Sequence, residues 1–575
     1  MTLLTRVKVT SSTFTEESTL QNCFQDYRVW RIRFVRQAIT DCSSATLTAH
    51  SIRRATPLHA SGPVIAVKFI NKAHAFSAGR LRPKQLQLET SLHSSVSPHP
   101  NIITFLSHGE DEQWIWLCLE LADGGDLFDK IEADEGVKED VAHLYFVQLT
   151  SAISWCHGKG VAHRDIKPEN MLLSAGGNLK LADFGLATQF LSPRSGQRKL
   201  CGMVCGSMPY IAPEIVDVGA VNEKRKQGQE KMGYDPSIAD LWSCAIVLFV
   251  LMTGNTPWDA PVLKDSYEYY DFVKTSGRPA DDLWEKVPAA ALSLLRGMLK
   301  VSTTERFTLQ DVQKHPWYTR RNPEMNQKGM VANSINLATQ MLESLRIDFN
   351  AVVPTSQPDA MDIDGPSVGP SVGPDVSRFA ATQPEVPMDD AALDWEAPPR
   401  LTTGVSSSQP MSIHDGTSLT IDHQLLLDSL AQDPSMSQFA PTPSVPLTLT
   451  QQARQFKDIV PAHSLARFFS HLPFPQLLPM LHSALHRLSV PVVPPSAAAM
   501  QGQEALVSIR IKTVDARQQL LQGNILIESI QVPGQANKEV LEVRFAKAKG
   551  DPLGWRRLFK QVVVLCKDGV IAPHG

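Results

Sequence analysis

A chain of 575 residues is longer than one hydrophobic core can serve, which predicts several domains or long connecting segments. A formal net charge of −4 and a hydrophobic content of 43% are typical of a globular protein and exclude an overall basic surface for direct nucleic-acid binding. The eight cysteines lack the paired spacing of a zinc site and predict free thiols in a reducing compartment.

The amino terminus shows neither a long apolar core nor a cleavage signature, and we interpret residues 1–26 as an extension. The longest apolar run, residues 241–254, is too short to span a bilayer comfortably and predicts a buried helix. We therefore expect an intracellular monomer without a transmembrane segment.

Residues 27–318 begin with strand-like segments and become helical after residue 126, which predicts an α+β, two-lobed body with a cleft between the lobes. Lys68 lies in the apolar strand VIAVKFI, and Glu89 lies in the helical stretch that follows. This spacing favours a lysine–glutamate ion pair in the cleft over the alternative, an exposed lysine on an edge strand.

The sequence HRDIKPEN, residues 163–170, is followed 18 residues after Asp165 by the DFG sequence that begins at Asp183. Together they predict phosphoryl transfer. Asp165 is the candidate to accept or orient the proton of the attacking hydroxyl, and Lys167 can reach the transferring group. Asn170 and Asp183 are the candidate Mg²⁺ ligands.

Three further charged residues predict scaffold contacts. Glu214, in IAPE, is expected to pair with Arg306, since buried charges need partners. Asp240, in DLWS, is expected to brace the backbone of the catalytic loop.

After residue 318 the composition changes. Residues 351–400 hold nine acidic and two basic side chains with many prolines, and we interpret residues 319–454 as a disordered linker. Residues 455–575 predict a small α+β module: leucines at helical spacing in 467–488, three strands, and a helix that Asp551 caps.

These motifs carry a family resemblance. Residues 27–318 resemble a eukaryotic Ser/Thr protein kinase, and four stretches resemble the checkpoint kinase 1 family of the DNA-damage response: LELADGGDLFDKIE (119–132), HRDIKPEN, DFGLAT (183–188) and CGSMPYIAPE (205–214). The sequence KGDPLGWRRLFKQV, residues 549–562, is similar to the kinase-associated domain type 1 that closes those proteins.

The resemblance implies an ATP- and Mg²⁺-dependent enzyme with the bilobal kinase fold, located in the nucleus. Leu119 would be the gatekeeper, and Glu120 and Ala122 would offer backbone groups to adenine. It also implies protein substrates, such as cell-cycle phosphatases, with arginine upstream of the target Ser or Thr. Asp126 and Glu169 are placed to attract that arginine by charge. The alternatives are that Asp126 contacts ribose and that Glu169 caps the loop.

Regulation is expected in the linker. Residues 198–206 of the activation segment contain no hydroxyl, and Ser207 stands where a substrate-facing Ser or Thr belongs. The linker instead holds Ser/Thr-Gln pairs, which damage-sensing kinases of the phosphatidylinositol-3-kinase-like family select. The site that most resembles the family's regulatory site is Ser408, and the other pairs begin at Ser356, Thr382, Ser437 and Thr450.

The carboxyl-terminal module carries eleven basic and six acidic residues over 505–575, among them Arg556, Arg557 and Lys560 on one helix. This face is either solvated or docks on the kinase domain or on anionic lipid, and the resemblance favours intramolecular inhibition.

One segment departs from the family pattern. In ITDCSSATLTAH, residues 39–50, Thr40, Cys42 and Ala45 stand where a nucleotide loop carries glycines. Glycine there lets backbone N–H groups approach the phosphates, so we expect weaker ATP affinity. The alternative is a gene model that joins the wrong exons across residues 28–50.

Two other functions remain open from sequence alone. A pseudokinase scaffold would use the lobes and the carboxyl-terminal module to assemble partners. A Ser/Thr kinase of another pathway could carry the same carboxyl-terminal module.

Overall fold

The computed structural model describes fourteen stretches of the chain: residues 17–21, 29–33, 50–57, 63–77, 83–192, 195–225, 231–353, 434–440, 455–460, 465–494, 496, 506–515, 520–531 and 539–572. They divide into two compact units, one built mainly from residues up to Ser334 and the other from Ile335 onward. The glycine-free segment, apart from His50, and Ser408 lie outside the described residues.

The first unit opens with a six-stranded antiparallel sheet in the order β1-β2-β3-β4-β6-β5. Two helices, α1 (Lys72–Ser77) and α2 (Pro83–Val96), follow β4. In this sheet Lys68 lies opposite Ile52 of one neighbouring strand and Leu117 of the other. The strands are β1 (Glu17–Gln21), β2 (Val29–Arg33), β3 (His50–Pro57), β4 (Ile65–Asn71), β5 (Phe105–Glu110) and β6 (Trp114–Glu120).

The rest of this unit is mainly helical. Short strands form two small sheets, in the orders β10-β9-β7 and β11-β8. These strands are β7 (Gly125–Asp126), β8 (Val161–Ala162), β9 (Met171–Leu173), β10 (Leu179–Leu181) and β11 (Thr188–Gln189). The helices are α3 (Glu139–Gly158), α4 (Pro213–Lys224), α5 (Pro236–Thr253), α6 (Tyr267–Lys274), α7 (Asp282–Glu285), α8 (Ala289–Met298), α9 (Leu309–Lys314) and α10 (Pro316–Thr319).

Helix α5 contains the apolar run noted above and is buried along almost its whole length, as predicted. Asp235 caps its start, because the Asp235 carboxylate accepts a hydrogen bond from the Ser237 N–H at 2.9 Å. Gly254 ends it with φ of 66°, and a Cβ there would lie 2.5 Å from the Glu132 carbonyl oxygen, so only glycine fits. Among the described residues α5 is the one helix long and apolar enough to cross a membrane, and most of it is buried in this unit.

Residues 319–333 extend the helical part of the first unit, so the prediction that the linker begins at residue 319 is wrong. The Asn322 amide donates to the Asp140 carbonyl at 2.8 Å, and the Val331 N–H donates to the Asn178 side chain at 2.8 Å. These contacts are made by single polar side chains, which produce no hydrophobic periodicity. The sequence pattern therefore did not indicate that residues 319–333 are part of the first unit.

The second unit is a four-stranded antiparallel sheet in the order β12-β15-β14-β13 with two long helices. Its strands are β12 (Arg467–Ser470), β13 (Leu506–Val514), β14 (Leu520–Gln531) and β15 (Glu539–Lys549). Its helices are α11 (Ser334–Ser344), whose first residue belongs to the first unit, α12 (Phe456–Ile459), α13 (Phe474–Arg487) and α14 (Pro552–Leu565). Three strands and α14 match the predicted elements. Residues 467–470, however, form an edge strand, and the helix begins only at Phe474. The leucines at helical spacing, which led to the helix prediction, all lie after residue 474.

Two short stretches of the predicted linker belong to the core of this unit. Met436 and Phe439 lie among the buried residues of the core, and the Phe439 ring stacks on Phe349 with centroids 6.3 Å apart. The Ile347 N–H donates to the Gln438 carbonyl at 3.0 Å. The Ser437-Gln438 pair is therefore buried.

Gln438 joins this stretch to two other parts of the second unit. Its amide nitrogen donates to the carbonyls of Ser435 and Leu465, at 2.7 and 3.0 Å. Its amide oxygen accepts from the Arg556 guanidinium at 2.6 Å. Arg556 is 3% exposed, so it does not contribute to the surface for which the sequence analysis proposed it.

We predict that Gln438→Ala lowers the stability of the second unit by about 2–4 kcal/mol, because a buried guanidinium loses an acceptor and two buried carbonyls lose a donor. Thermal unfolding of the full chain, followed by hydrogen exchange in β12 and α14, measures this. The matched control Gln476→Ala, at an exposed position of α13, should leave exchange unchanged. Equal protection in both variants would contradict the prediction.

Candidate active site

Lys68 lies at the centre of a group of buried charges. Its ammonium is 3.0 Å from Glu89 Oε1 on α2 and 3.3 Å from Asp183 Oδ1, so the predicted lysine–glutamate pair is present. Burial disfavours the charged ammonium, but attraction to Asp183 and Glu89 outweighs it and raises the pKa of Lys68. Lys68 is therefore charged at every physiological pH.

The catalytic-loop candidates converge on one hydroxyl. The Lys167 ammonium lies 2.9 Å from Asp165 Oδ2 and donates to the Ser207 hydroxyl at 2.9 Å. Ser207 in turn donates to Asp165 Oδ1 at 3.2 Å. Although burial opposes its charge, the nearby Asp165 raises the pKa of Lys167. An alcohol placed between Asp165 and Lys167 thus meets one acceptor and one cation.

Asn170 holds the loop from the other side. Its amide nitrogen donates to the Asp165 carbonyl at 2.8 Å and to Asp165 Oδ2 at 3.3 Å, which leaves its amide oxygen as the atom suited to a metal. Oxygen donors such as this amide and the Asp183 carboxylate are what Mg²⁺ prefers, and Mg²⁺ usually takes only one or two protein ligands beside substrate phosphates. The donor set fits.

The catalytic loop takes its shape from Asp240 on α5. The Asp240 carboxylate accepts from the backbone N–H groups of His163 and Arg164, at 2.9 and 2.8 Å, as predicted. Arg164 and Asp183 adopt left-handed φ angles of 65° and 61°, which cost energy for residues with a Cβ. The hydrogen bonds from Asp240 keep the backbone in this strained conformation next to Asp165.

A column of rings, which no sequence motif indicated, joins α2 to the catalytic loop. The His93 ring stacks on Phe184 of the DFG sequence, with centroids 4.5 Å apart. His163 meets the same Phe184 ring edge-on, at 4.9 Å. His93 follows Glu89 by four residues, so both lie on one face of α2, a spacing that could have revealed it.

The residues predicted to contact adenine lie at the end of β6 and directly after it. The Glu120 carboxylate accepts from Thr104 Oγ1 at 2.8 Å and pairs with Lys180 at 2.6 Å, so its side chain is engaged while its backbone continues β6. The Ala122 carbonyl accepts from the Gly125 N–H at 3.0 Å. Leu119 packs beside the cluster that contains Leu117.

The two predicted substrate carboxylates lie in different elements. Asp126 Oδ1 accepts from the Phe128 N–H at 2.8 Å at the start of a 3₁₀ turn, Phe128–Lys130. Glu169 lies in the 3₁₀ turn Pro168–Asn170, where it interacts electrostatically with Lys167.

The activation segment is held by pairs within the fold. Arg164 Nε donates to the Leu186 carbonyl at 2.7 Å, and its largely buried guanidinium interacts electrostatically with Cys205 and Tyr234. Arg306 makes the predicted pair with Glu214, and the structure shows that it is bidentate, at 2.7 and 2.8 Å. The arginine of the HRD sequence thus has partners without a phosphate on the segment.

Comparisons with known proteins agree with this geometry. Residues 55–318 match the protein kinase domain family, a range that begins after the glycine-free segment. The chain is 35% identical to the serine/threonine-protein kinase chk1 of Schizosaccharomyces pombe over 87% of this chain and 90% of that protein. It is 32% identical to CHK1 of Saccharomyces cerevisiae over 89% and 92%. It is also 35% identical to the rice CBL-interacting protein kinase 20, but over 45% of this chain and 53% of that protein.

We predict that His93 makes the first unit sensitive to acid. The pKa of His93 falls to about 4, chiefly because of burial and also because Lys68 and His163 lie nearby, while the Ile103 carbonyl and Asp183 oppose the shift. Because the pKa in the unfolded chain is about 6.5, the unfolded chain binds more protons below that pH, and stability falls as pH drops from about 6.5 toward 4.

At pH 5 the loss from this one ring should be about 2 kcal/mol relative to pH 7. His93→Leu should therefore show a smaller drop in the melting temperature of the first unit between pH 7 and 5 than the natural chain does. His108→Leu, at an exposed position of β5, is the control and should keep the full drop. Identical drops in the natural chain and His93→Leu would refute the assignment.

Proposed function

The chain belongs to the checkpoint kinase 1 family of serine/threonine protein kinases, and on that premise we propose how its residues divide the reaction and where it acts. The observation that carries the proposal is the convergence of Lys167 and Asp165 on one hydroxyl, next to the Lys68–Asp183 pair. These are the cation, the carboxylate and the metal-side groups that phosphoryl transfer requires.

In this proposal each side chain has one task. ATP with Mg²⁺ supplies the phosphoryl group and shields its charge. Lys68, kept in place by Glu89, orients the phosphates, while Asn170 and Asp183 would hold the metal. Asp165 orients the substrate hydroxyl and accepts its proton, and Lys167 offsets the negative charge that develops on the oxygens. Glu120 and Ala122 offer backbone groups to adenine.

We further propose that Asp126 and Glu169 favour substrates with arginine upstream of the target residue. Both are carboxylates near the catalytic loop, and charge complementarity fixes the direction in which a peptide lies. Substrates would then include cell-cycle phosphatases that carry such sites, and the enzyme would act in the nucleus as an effector of the DNA-damage and replication checkpoint.

Control is proposed to act through the linker. A damage-sensing kinase of the phosphatidylinositol-3-kinase-like family would phosphorylate Ser408, which adds about two negative charges. Those charges would relieve an inhibitory contact made by the carboxyl-terminal module. The absence of a hydroxyl in residues 198–206 and the internal partners of Arg164 support control outside the activation segment.

We predict that Asp165→Asn lowers kcat on an arginine-containing peptide by about 10²–10⁴-fold, because the amide cannot take the proton. Steady-state assays of the purified full chain measure this, with Asp265→Asn, an exposed position, as the control that should keep full activity. Folded natural protein that transfers no phosphate to any such peptide would instead support the pseudokinase scaffold.

We predict that a purified damage-sensing kinase modifies Ser408 and leaves Ser437 unmodified in the folded chain, because Ser437 is 8% exposed and its neighbour Gln438 is 1% exposed. Quantitative mass spectrometry of the two sites measures this. Heating the chain first should make Ser437 reactive. Modification of folded Ser437 at the rate of Ser408 would contradict the prediction, and absence of Ser408 modification under replication stress would favour a kinase of another pathway.

A further inference from the structure

A groove of about 1130 Å³ lies beside the activation segment, between residues 189–192 and 195–203 on one side and residues 231–233 on the other. Three apolar side chains on its walls are unusually exposed: Leu200 at 58%, Met203 at 50% and Met232 at 45%. Exposed apolar side chains grouped in a concave surface are typical of a binding site.

Backbone contacts hold the walls of the groove in place. Cys201 and Tyr234 exchange two backbone hydrogen bonds of 2.9 Å, and the Tyr234 hydroxyl donates to the Met203 carbonyl at 2.9 Å. The Asn222 amide binds both the N–H and the carbonyl of Met232, at 2.8 and 3.0 Å. Leu200 lies over Gly233, where an added Cβ would come within 2.7 Å of the Leu200 Cβ.

The described residues of the groove also carry positive charge. Arg198 pairs with Asp235 at 2.5 Å, which neutralises it. Lys199 and Lys231 are exposed, and neither has an acidic partner in the part of the chain that the structure describes. A Cβ added at Gly202 would lie 3.7 Å from the Lys231 Cβ, which places this lysine at the apolar wall.

The groove adjoins the catalytic centre along the chain. Met203 precedes Ser207 by four residues, a separation of at most about 14 Å, and Ser207 contacts Asp165. A peptide with arginine upstream of its target residue would be repelled at Lys199 and Lys231 and attracted at Asp126 and Glu169. Charge therefore directs the upstream end away from the groove and the downstream end toward it.

We propose that this groove is a second substrate site, which selects proteins carrying acidic and apolar side chains from about four residues downstream of the target Ser or Thr. The proposal rests on the proposed kinase function. Lys199 and Lys231 bind the carboxylates, and Leu200, Met203 and Met232 contact the apolar side chains. The kinase would thus recognise a substrate that is basic before its target residue and acidic after it.

Two peptides test this with the full chain. Both have arginine upstream of serine; one continues with eight Gly, Ser and Ala residues, and the other carries Asp, Glu, Leu and Met at positions four to eight after the serine. We expect a KM about five- to tenfold lower for the acidic–apolar peptide, from a few exposed ion pairs and partial burial of two apolar side chains. Equal KM values would overturn the proposal.

The charge-reversal variant Lys199→Glu/Lys231→Glu should abolish this preference, so that the acidic–apolar peptide no longer has the lower KM of the two peptides. The control Lys300→Glu/Lys314→Glu changes net charge equally at exposed positions of the helical part and should keep the preference. Leu200→Ser/Met203→Ser should remove the contribution of the apolar side chains alone. A preference that survives in the charge-reversal variant would overturn the proposal.

A binding measurement separates this proposal from the kinase function itself. The acidic–apolar segment alone, labelled and followed by fluorescence anisotropy, should bind the natural chain at least tenfold more tightly than the Lys199→Glu/Lys231→Glu variant, whether or not phosphate is transferred. Tighter binding after Asp389→Asn/Asp390→Asn/Asp394→Asn would identify the chain's own acidic segment as the occupant and would overturn the assignment to substrates.

Discussion

The active site depends on one buried ammonium. Lys68 lies on β4 with Ala66, Val67 and Ile70 buried around it, and it is neutralised by carboxylates from two other parts of the first unit. Removing one partner from a buried pair costs about 3–5 kcal/mol, because the remaining charge stays desolvated. The position of α2 is therefore coupled to that of the DFG sequence through Lys68.

The ring column reinforces this coupling with apolar contacts. Phe184 follows Asp183 directly, so the residue that meets Lys68 and the residue that stacks on His93 move together. Glu89 and His93 lie one turn apart on α2. An outward shift of α2 would break a charge contact and a ring contact at once, which makes the assembled arrangement of the catalytic residues cooperative.

The sequence predicted the charged contacts better than the boundaries of the units. Lys68–Glu89, Glu214–Arg306 and the bracing by Asp240 followed from motifs, because charged groups in a core need specific partners. The contacts of Asn322 and Gln438 did not follow, since single polar side chains in proline-rich or polar stretches leave no periodic pattern. The strand at 467–470 was missed because four residues are too few to distinguish a strand from the first turn of a helix. His93 carried a signal in its spacing from Glu89, but a lone histidine on a helix is ordinarily a core residue.

The weaker ATP affinity that we expect from the glycine-free segment concerns a different stage of the proposed reaction from the one that these residues serve. A glycine-rich loop contacts phosphates with backbone N–H groups both before and during transfer, so losing part of that contact weakens ground state and transition state alike. In the proposed reaction Asp165 and Lys167 act on the hydroxyl and on the charge that develops during transfer, and both contact the Ser207 hydroxyl directly. We therefore expect Thr40, Cys42 and Ala45, in place of glycine, to raise the KM for ATP and to leave kcat largely unchanged. The groups that would determine kcat in this proposal are held in place by Asp240 on α5 and by the pairs of Lys68 with Glu89 and Asp183.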